Sequence, residues 1–346
     1  MRRGLMSWSL QEMPVAALNK RVARLQAAMR AENMGAVLVY TSFAQPSAVH
    51  WLTNFTPYWS EALAVVLPEG APVLLASLTK RVHLWIKEVS HLADVVMAPR
   101  LGADAVTFLT DKTAPGQRIG IVGMDSLPSS VANPLFSAMP ADKLVDASAM
   151  FAALRQPGDS YEHALFDKAA NIAANAFQAV PAEAQKVSEV TAAIEASARL
   201  AGAEELLLRF APDLGKSVVL QRMEGDASLG TTWAVESSVA YKGVWVRLGR
   251  SMASGVAPAS WSAANQWFDK ASNNAGAALN GLLNGEAPGE LLSGCLEASI
   301  GVHPLSVIAA KNIPPVFALP KGTHAVLSAQ LALANGHWYR AGPVVV

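Results

Sequence analysis

A single cysteine, Cys295, stands in a chain of 346 residues. No disulfide can close within the chain, and no zinc cage can be built from thiolates. No nucleophile motif surrounds Cys295, so it reads as a half-buried structural thiol. Charge of either sign is not in excess: 27 Lys and Arg balance 27 Asp and Glu. A nucleic-acid binder needs a broad cationic face, and this balance argues against one while leaving room for a local basic pocket. No apolar run approaches the roughly 20 residues that span a bilayer. The opening MRRGLMSWSL has basic residues but neither a sustained apolar core nor a small-residue cleavage site, so no signal peptide is read and a cytoplasmic protein is expected. GxSxG, HExxH and CxxC are missing. The glycines of ASLG and SNNAGAALNG have neither P-loop nor dinucleotide spacing.

What the chain does have is apolar residues, 52% of the total against 16% charged, enough for two domains or one large α/β domain. Helical spacing over Leu18–Glu32 puts Val22, Leu25, Ala28 and Met29 on one face. Gly35 ends that helix and AVLVY (Ala36–Tyr40) reads as a strand. Leu63–Leu67 and Val73–Leu75 flank PEGAP and read as a hairpin. Helices over Lys80–Val89 and Ala103–Leu109, and strands at Val95–Met97 and Arg118–Gly123, complete an alternating α/β region. From Leu154 the character changes. Asp159 and Ser160 can cap a helix running to Phe177, a second helix is expected over Val187–Leu200, and a third over Ala264–Leu283. Strands close the chain at His324–Leu333 and Trp338–Val346. The expectation is an α/β domain over residues 1–150 followed by an α+β domain over 151–346.

The stretch WAVESSVAYKGVWVRLGRS (Trp233–Ser251) reads as a hairpin turning at Lys242-Gly243, with an acid, Glu236, in one strand and a cation, Arg247, in the other. Together with VHWLTNF (Val49–Phe55), RIGIVGMDSLP, LRQPGDSYEHALFDKAANIA, ASIGVHP (Ala298–Pro304) and LPKGTHAVLSA (Leu319–Ala329), it resembles the creatinase, prolidase and aminopeptidase P superfamily. The resemblance runs from about residue 18 to the C-terminus. It implies a small creatinase-type N-terminal α/β domain and a pita-bread α+β domain. Active metallopeptidases of that superfamily hold two divalent ions with Asp, Asp, His, Glu and Glu. Carried over residue by residue, Glu236 stands at the first Asp and Arg247 at the second, eleven residues apart. Ala298 stands at the His, Ser328 at the first Glu, and Ala341 or Gly342 at the last. Whatever the register, Ala298–Val346 contains no Asp or Glu. Hard divalent ions need several anionic oxygens or imidazoles to offset dehydration, so no metal or other cofactor is expected.

Two functions follow from the resemblance. The preferred one is a metal-free pseudoenzyme binding a partner, a peptide or a small carboxylated ligand, paired as a dimer with itself or with a related active subunit. The other is a metal-independent hydrolase or lyase cleaving a C–N bond, as creatinase-like members do. Under it Arg247 would fork a carboxylate, Glu236 would pair with Arg247 or meet a cationic nitrogen, and His303 would move a proton. His324 is a second candidate for proton transfer, and Tyr241 and Arg340 are candidate ligand contacts. Tyr58 and Trp59 stand in a loop that in the superfamily often reaches the neighbouring subunit's site, and are candidates for an aromatic wall. Each residue also has a bland reading. Glu236 and Arg247 can simply neutralise each other, His303 can pin a loop, and His324 can be packed. The stretch Leu206–Gly230, where metal-independent members carry their base, contains no histidine.

Overall fold

Helix α1 (Val15–Ala31) buries Leu18, Val22, Leu25 and Met29, the apolar positions at i, i+4, i+7 and i+11. Burial of each such side chain is worth about 1.5–3 kcal/mol, which fixes the helix to the sheet beside it. The computed structural model describes residues 7–57, 59–273, 287–298 and 319–346. The described chain divides into two units, one ending at Gln156 and the other running from Pro157 to Val346.

In the first unit, α1 is followed by β1 (Met34–Thr41), α2 (Ser47–Thr53), β2 (Ala62–Val66), β3 (Val73–Ala76), α3 (His83–Val89) and β4 (Asp94–Met97). Then come α4 (Leu101–Lys112), β5 (Arg118–Val122), α5 (Ser129–Ala138), β6 (Leu144–Asp146) and α6 (Ser148–Arg155). The sheet order is β4-β3-β2-β1-β5-β6, with β2 antiparallel to both neighbours and the other pairs parallel. Strands β1 and β2 are buried almost throughout, as near-continuous apolar runs in a two-sided sheet must be. Separate clusters cover the two faces, one around Leu25, Trp51, Phe55 and Leu74, the other around Leu38, Leu63, Leu109 and Ile121.

The second unit opens with α7 (Ser160–Gln178) and α8 (Val187–Leu200). The α7 start is a full capping box. Asp159 Oδ1 accepts from the backbone N–H groups of Tyr161 and Glu162 at 3.0 Å each, and Glu162 reaches back to the Asp159 N–H at 3.4 Å. Strands β7 (Glu205–Ala211), β8 (Thr232–Tyr241) and β9 (Val244–Ala253) follow, then α9 (Ser260–Asn273), β10 (Glu290–Ala298), β11 (His324–Leu333) and β12 (Gly336–Val345). These strands form an antiparallel sheet in the order β10-β11-β12-β9-β8-β7. Helix α9 begins four residues before the expected Ala264 because Trp261 already enters the core, and the expected stretch beyond Asn273 lies outside the described residues. No helix among the described residues is long and apolar enough to cross a membrane.

Sheet register positions the candidate site. Cross-strand partners trace one continuous row through all six strands: Arg209 to Glu236, Glu236 to Gly249, Gly249 to Ala341, Ala341 to Ser328, and Ser328 to Cys295. Side chains in one row share a face, and so do residues two along each strand. Arg247, Tyr339 and Glu297 therefore face the same way as Glu236. Residues one along face the other way, toward the helices. Arg250 there lies over the Phe177 ring of α7 and Arg340 over the Phe268 ring of α9.

Candidate functional site

Two carboxylates, two guanidinium groups and a phenol meet on that face. Glu236 is 2% exposed, and its Oε1 accepts from Arg209 Nε at 2.8 Å and from Arg209 Nη2 at 2.5 Å. Its Oε2 accepts from the Tyr339 hydroxyl and lies 3.8 Å from Arg247 Nη1. Arg247, 6% exposed, turns its Nη2 to Glu297 Oε2. Two positive and two negative charges balance, as burial demands, since an unpaired ion in the interior costs several kcal/mol. Arg209 is 27% exposed, so the cluster reaches solvent on the β7 side.

Gly249 makes the arrangement possible. It stands directly opposite Glu236, and a Cβ built there would lie 2.3 Å from Tyr339 Cε1 and 2.9 Å from Tyr339 Oη. Only a residue without a side chain lets the Tyr339 ring cross β9 and reach the carboxylate. The ring is held from behind, where Ser251 Oγ donates to the Tyr339 carbonyl at 3.1 Å and accepts from its N–H at 2.8 Å. Burial and the adjacent Glu236 charge push the Tyr339 phenol well above its ordinary range, so it remains a proton donor. Two polar atoms in the cluster, Arg247 Nε and Glu297 Oε1, are buried and find no hydrogen-bond partner among the described residues.

The expected Glu236–Arg247 pair is thus present but loose. The tight partners are Arg209 for Glu236 and Glu297 for Arg247. Of the other expected site residues, Tyr241 sits at the far end of β8, where its hydroxyl accepts from Lys168 Nζ at 2.6 Å. His324 opens β11 with its ring 4.1 Å from that of His163 and stacked on Phe166 at 4.4 Å. Burial, and then the neighbouring His163, hold it below the usual imidazole range. Arg340 is on the helix side of the sheet, paired with Asp269 at 2.6 Å. No hydrogen bond or ion pair among the described residues joins Tyr241, His324 or Arg340 to Glu236. Trp59 belongs to the first unit. Tyr58 and His303 lie outside the described residues.

The donor set does not fit a pair of divalent ions. At the positions to which the resemblance assigns ligands stand Glu236, Arg247, Ala298, Ser328 and Ala341 or Gly342. No group of three His, Cys, Asp or Glu able to hold a metal ion occurs among the described residues. The one acid at those positions is already bonded to a guanidinium and a phenol, and another of them holds a fixed cation, Arg247, which repels a metal ion instead of ligating it.

Residues 21–156 match the family model of the Creatinase/Prolidase N-terminal domain. A search of curated proteins by sequence finds no match. Among solved structures, the fold is similar to that of the prolidase from Pyrococcus horikoshii, at 15% identity over 95% of each chain with a TM-score of 0.72. It is also similar to an Xaa-Pro dipeptidase from Bacillus anthracis, at 15% identity over 95% of each chain and TM-score 0.70. An X-Pro aminopeptidase from Thermotoga maritima matches at 15% identity over 94% of each chain and TM-score 0.69. The likeness covers both units and is one of fold.

Proposed function

We propose that this chain, whose residues 21–156 match the Creatinase/Prolidase N-terminal domain and whose fold is similar to that of prolidases, is a metal-independent pseudoenzyme of the creatinase, prolidase and aminopeptidase P superfamily. One observation carries the reading: Arg247 lies between Glu236 and Glu297, so the seat for dications is filled by the protein's own guanidinium. To admit a divalent ion, the cluster would have to expel Arg247 into solvent and give up its charge balance, and the carboxylates left behind are too few to repay dehydration. What remains is a folded scaffold suited to binding. The chain acts in the cytoplasm as one subunit of a dimer, with itself or with an active relative, and receives a peptide or a small carboxylated ligand.

The full chain, stripped with EDTA and resupplied with Mn²⁺, Co²⁺ or Zn²⁺, is expected to show no change in melting temperature and no hydrolysis of Xaa-Pro dipeptides. An ion bound at 100 times its Kd would add about 2.7 kcal/mol, a plain rise in Tm. Metal-dependent turnover would overturn the reading.

The unmet Arg247 Nε donor and Glu297 Oε1 acceptor favour a second reading, a metal-independent hydrolase or lyase acting on a C–N bond of a carboxylated substrate. Under it, turnover survives EDTA and falls in Arg247→Lys, which keeps the charge and loses the fork.

A further inference from the structure

A cavity of about 930 Å³ opens in the first unit, far along the chain from the arginine cluster, and the proposed function makes no use of it. It lies where β1 and β3 end and β2 begins, among Tyr40, Phe43, Trp59, Ser60, Glu61 and Ser77. Strands β1, β3, β4, β5 and β6 all run in one direction, so this is the carboxyl end of the parallel strands, the end at which open α/β sheets receive ligands.

The lining has two components. Aromatic rings form the first. Trp59 is 56% exposed and Phe43 49%, unusual exposure for side chains of this size. Trp59 is nevertheless held, stacked on Trp85 with centroids 6.3 Å apart and planes 14° from parallel. The second component is a single charge. Glu61 is half-buried, its Oε2 accepts from the Tyr40 hydroxyl at 2.8 Å, and no ion pair engages it among the described residues. Every other lining residue is formally neutral. Burial and the Glu61 carboxylate raise the Tyr40 phenol to about 12, so it stays neutral and keeps donating. Ser60 and Ser77 satisfy each other at 2.6 Å, and Ser77 Oγ also donates to the Glu61 carbonyl at 3.1 Å.

A carboxylate set among ring faces selects strongly by charge. An anion is repelled, and a neutral apolar guest gains nothing from Glu61. An inorganic dication finds one carboxylate and hydroxyls already engaged, too few oxygens for its shell. A weakly hydrated organic cation gains from both components, from the ring quadrupoles and from the counter-charge. We propose that this cavity binds an organic cation, an ammonium or guanidinium group carried by a small molecule or by a peptide side chain, with Phe43 and Trp59 against it and Glu61 as its counter-ion.

Calorimetric titration of the full chain tests this with three probes: choline, its uncharged tert-butyl isostere, and an arginine-containing tripeptide amide. Saturable binding of choline or the peptide, with no binding of the isostere, is expected, and the tighter of the two identifies the source of the cation. Glu61→Gln keeps an acceptor for Tyr40, and Trp59→Ala removes a side chain that is mostly in solvent, so both variants should melt with the wild type. Each should weaken cation binding by about tenfold or more. Absence of saturable binding, equal binding of the isostere, or affinity unchanged in both variants would overturn the proposal. So would conversion of a dimer to monomers by Trp59→Ala without any cation binding, which would make the rings a subunit contact. None of these outcomes bears on whether the arginine cluster excludes metals.

Discussion

Arg247 shows how a buried charge can be indispensable without being stabilising. It stands between two carboxylates, and only Arg209 would remain to balance them in its absence. Arg247→Ala is expected to lose about 3–5 kcal/mol of unfolding free energy, because Glu297 would be left buried and unpaired. The double replacement Arg247→Met with Glu297→Leu should lose far less than the two single changes added together, and urea unfolding of the four proteins measures the coupling directly. Glu236 and Arg247 were legible in the sequence because each is a charge set among apolar residues on a recognisable hairpin, Glu236 the one charge of β8 and Arg247 one of two in β9. Arg209 in LLLRFA and Glu297 in SGCLEA carry the same signal, yet sequence alone cannot say what they face. The partners lie 27 residues apart for Arg209 with Glu236, and the Arg247 and Glu297 strands are not even neighbours in the sheet. Tyr339 was hidden differently, since its apolar surroundings read as core until Gly249 is seen to open a path across β9.

The β8–β9 hairpin turns on two residues with positive φ, Lys242 at 49° and Gly243 at 78°, the conformation a tight antiparallel connection requires. The Lys-Gly turn could be read from sequence, but the residue that secures it could not. Glu204, just before β7, is buried and accepts from the Gly243 N–H at 2.6 Å. Burial, only partly offset by backbone donors at Gly243 and Lys242, lifts its carboxyl to about 7. A folded-state value above the unfolded one means the native protein holds this proton longer. Its contribution is full below pH 4.5, declines as pH rises toward 7, and has cost on the order of 3 kcal/mol by pH 8. Glu204→Gln should therefore be more stable relative to the parent at pH 8 than at pH 4, a crossing visible in urea midpoints at the two pH values. Strands β7 and β10 escaped a reading of the sequence for a related reason. ELLLRFA has no alternation to separate strand from helix, and ELLSGCLEA lacks β-branched residues altogether, so their extended form is imposed by their neighbours in the sheet.

At the scale of the whole molecule, each unit closes its own sheet and carries its own apolar core. A fragment of residues 1–156 is expected to fold alone, with a single cooperative thermal transition followed by circular dichroism. A broad, non-cooperative melt would show that the core of this unit is insufficient by itself. The alternating α/β character of the first unit was plain from periodicity. The second showed its helices through caps and faces and four of its strands through pattern and turn, while the order in which those strands pair stayed hidden, because register is a property of pairs of strands and not of any one of them.

The lone cysteine gives the second unit a clock. Cys295 is buried on β10, directly across from Ser328 and two residues from Glu297. With no other thiol in the chain, the rate at which a sulfhydryl reagent modifies the native protein counts the openings of that strand alone. The same side chain that can form no crosslink within its own chain thus times, without any engineering, how often the edge of the sheet bearing Glu297 comes apart.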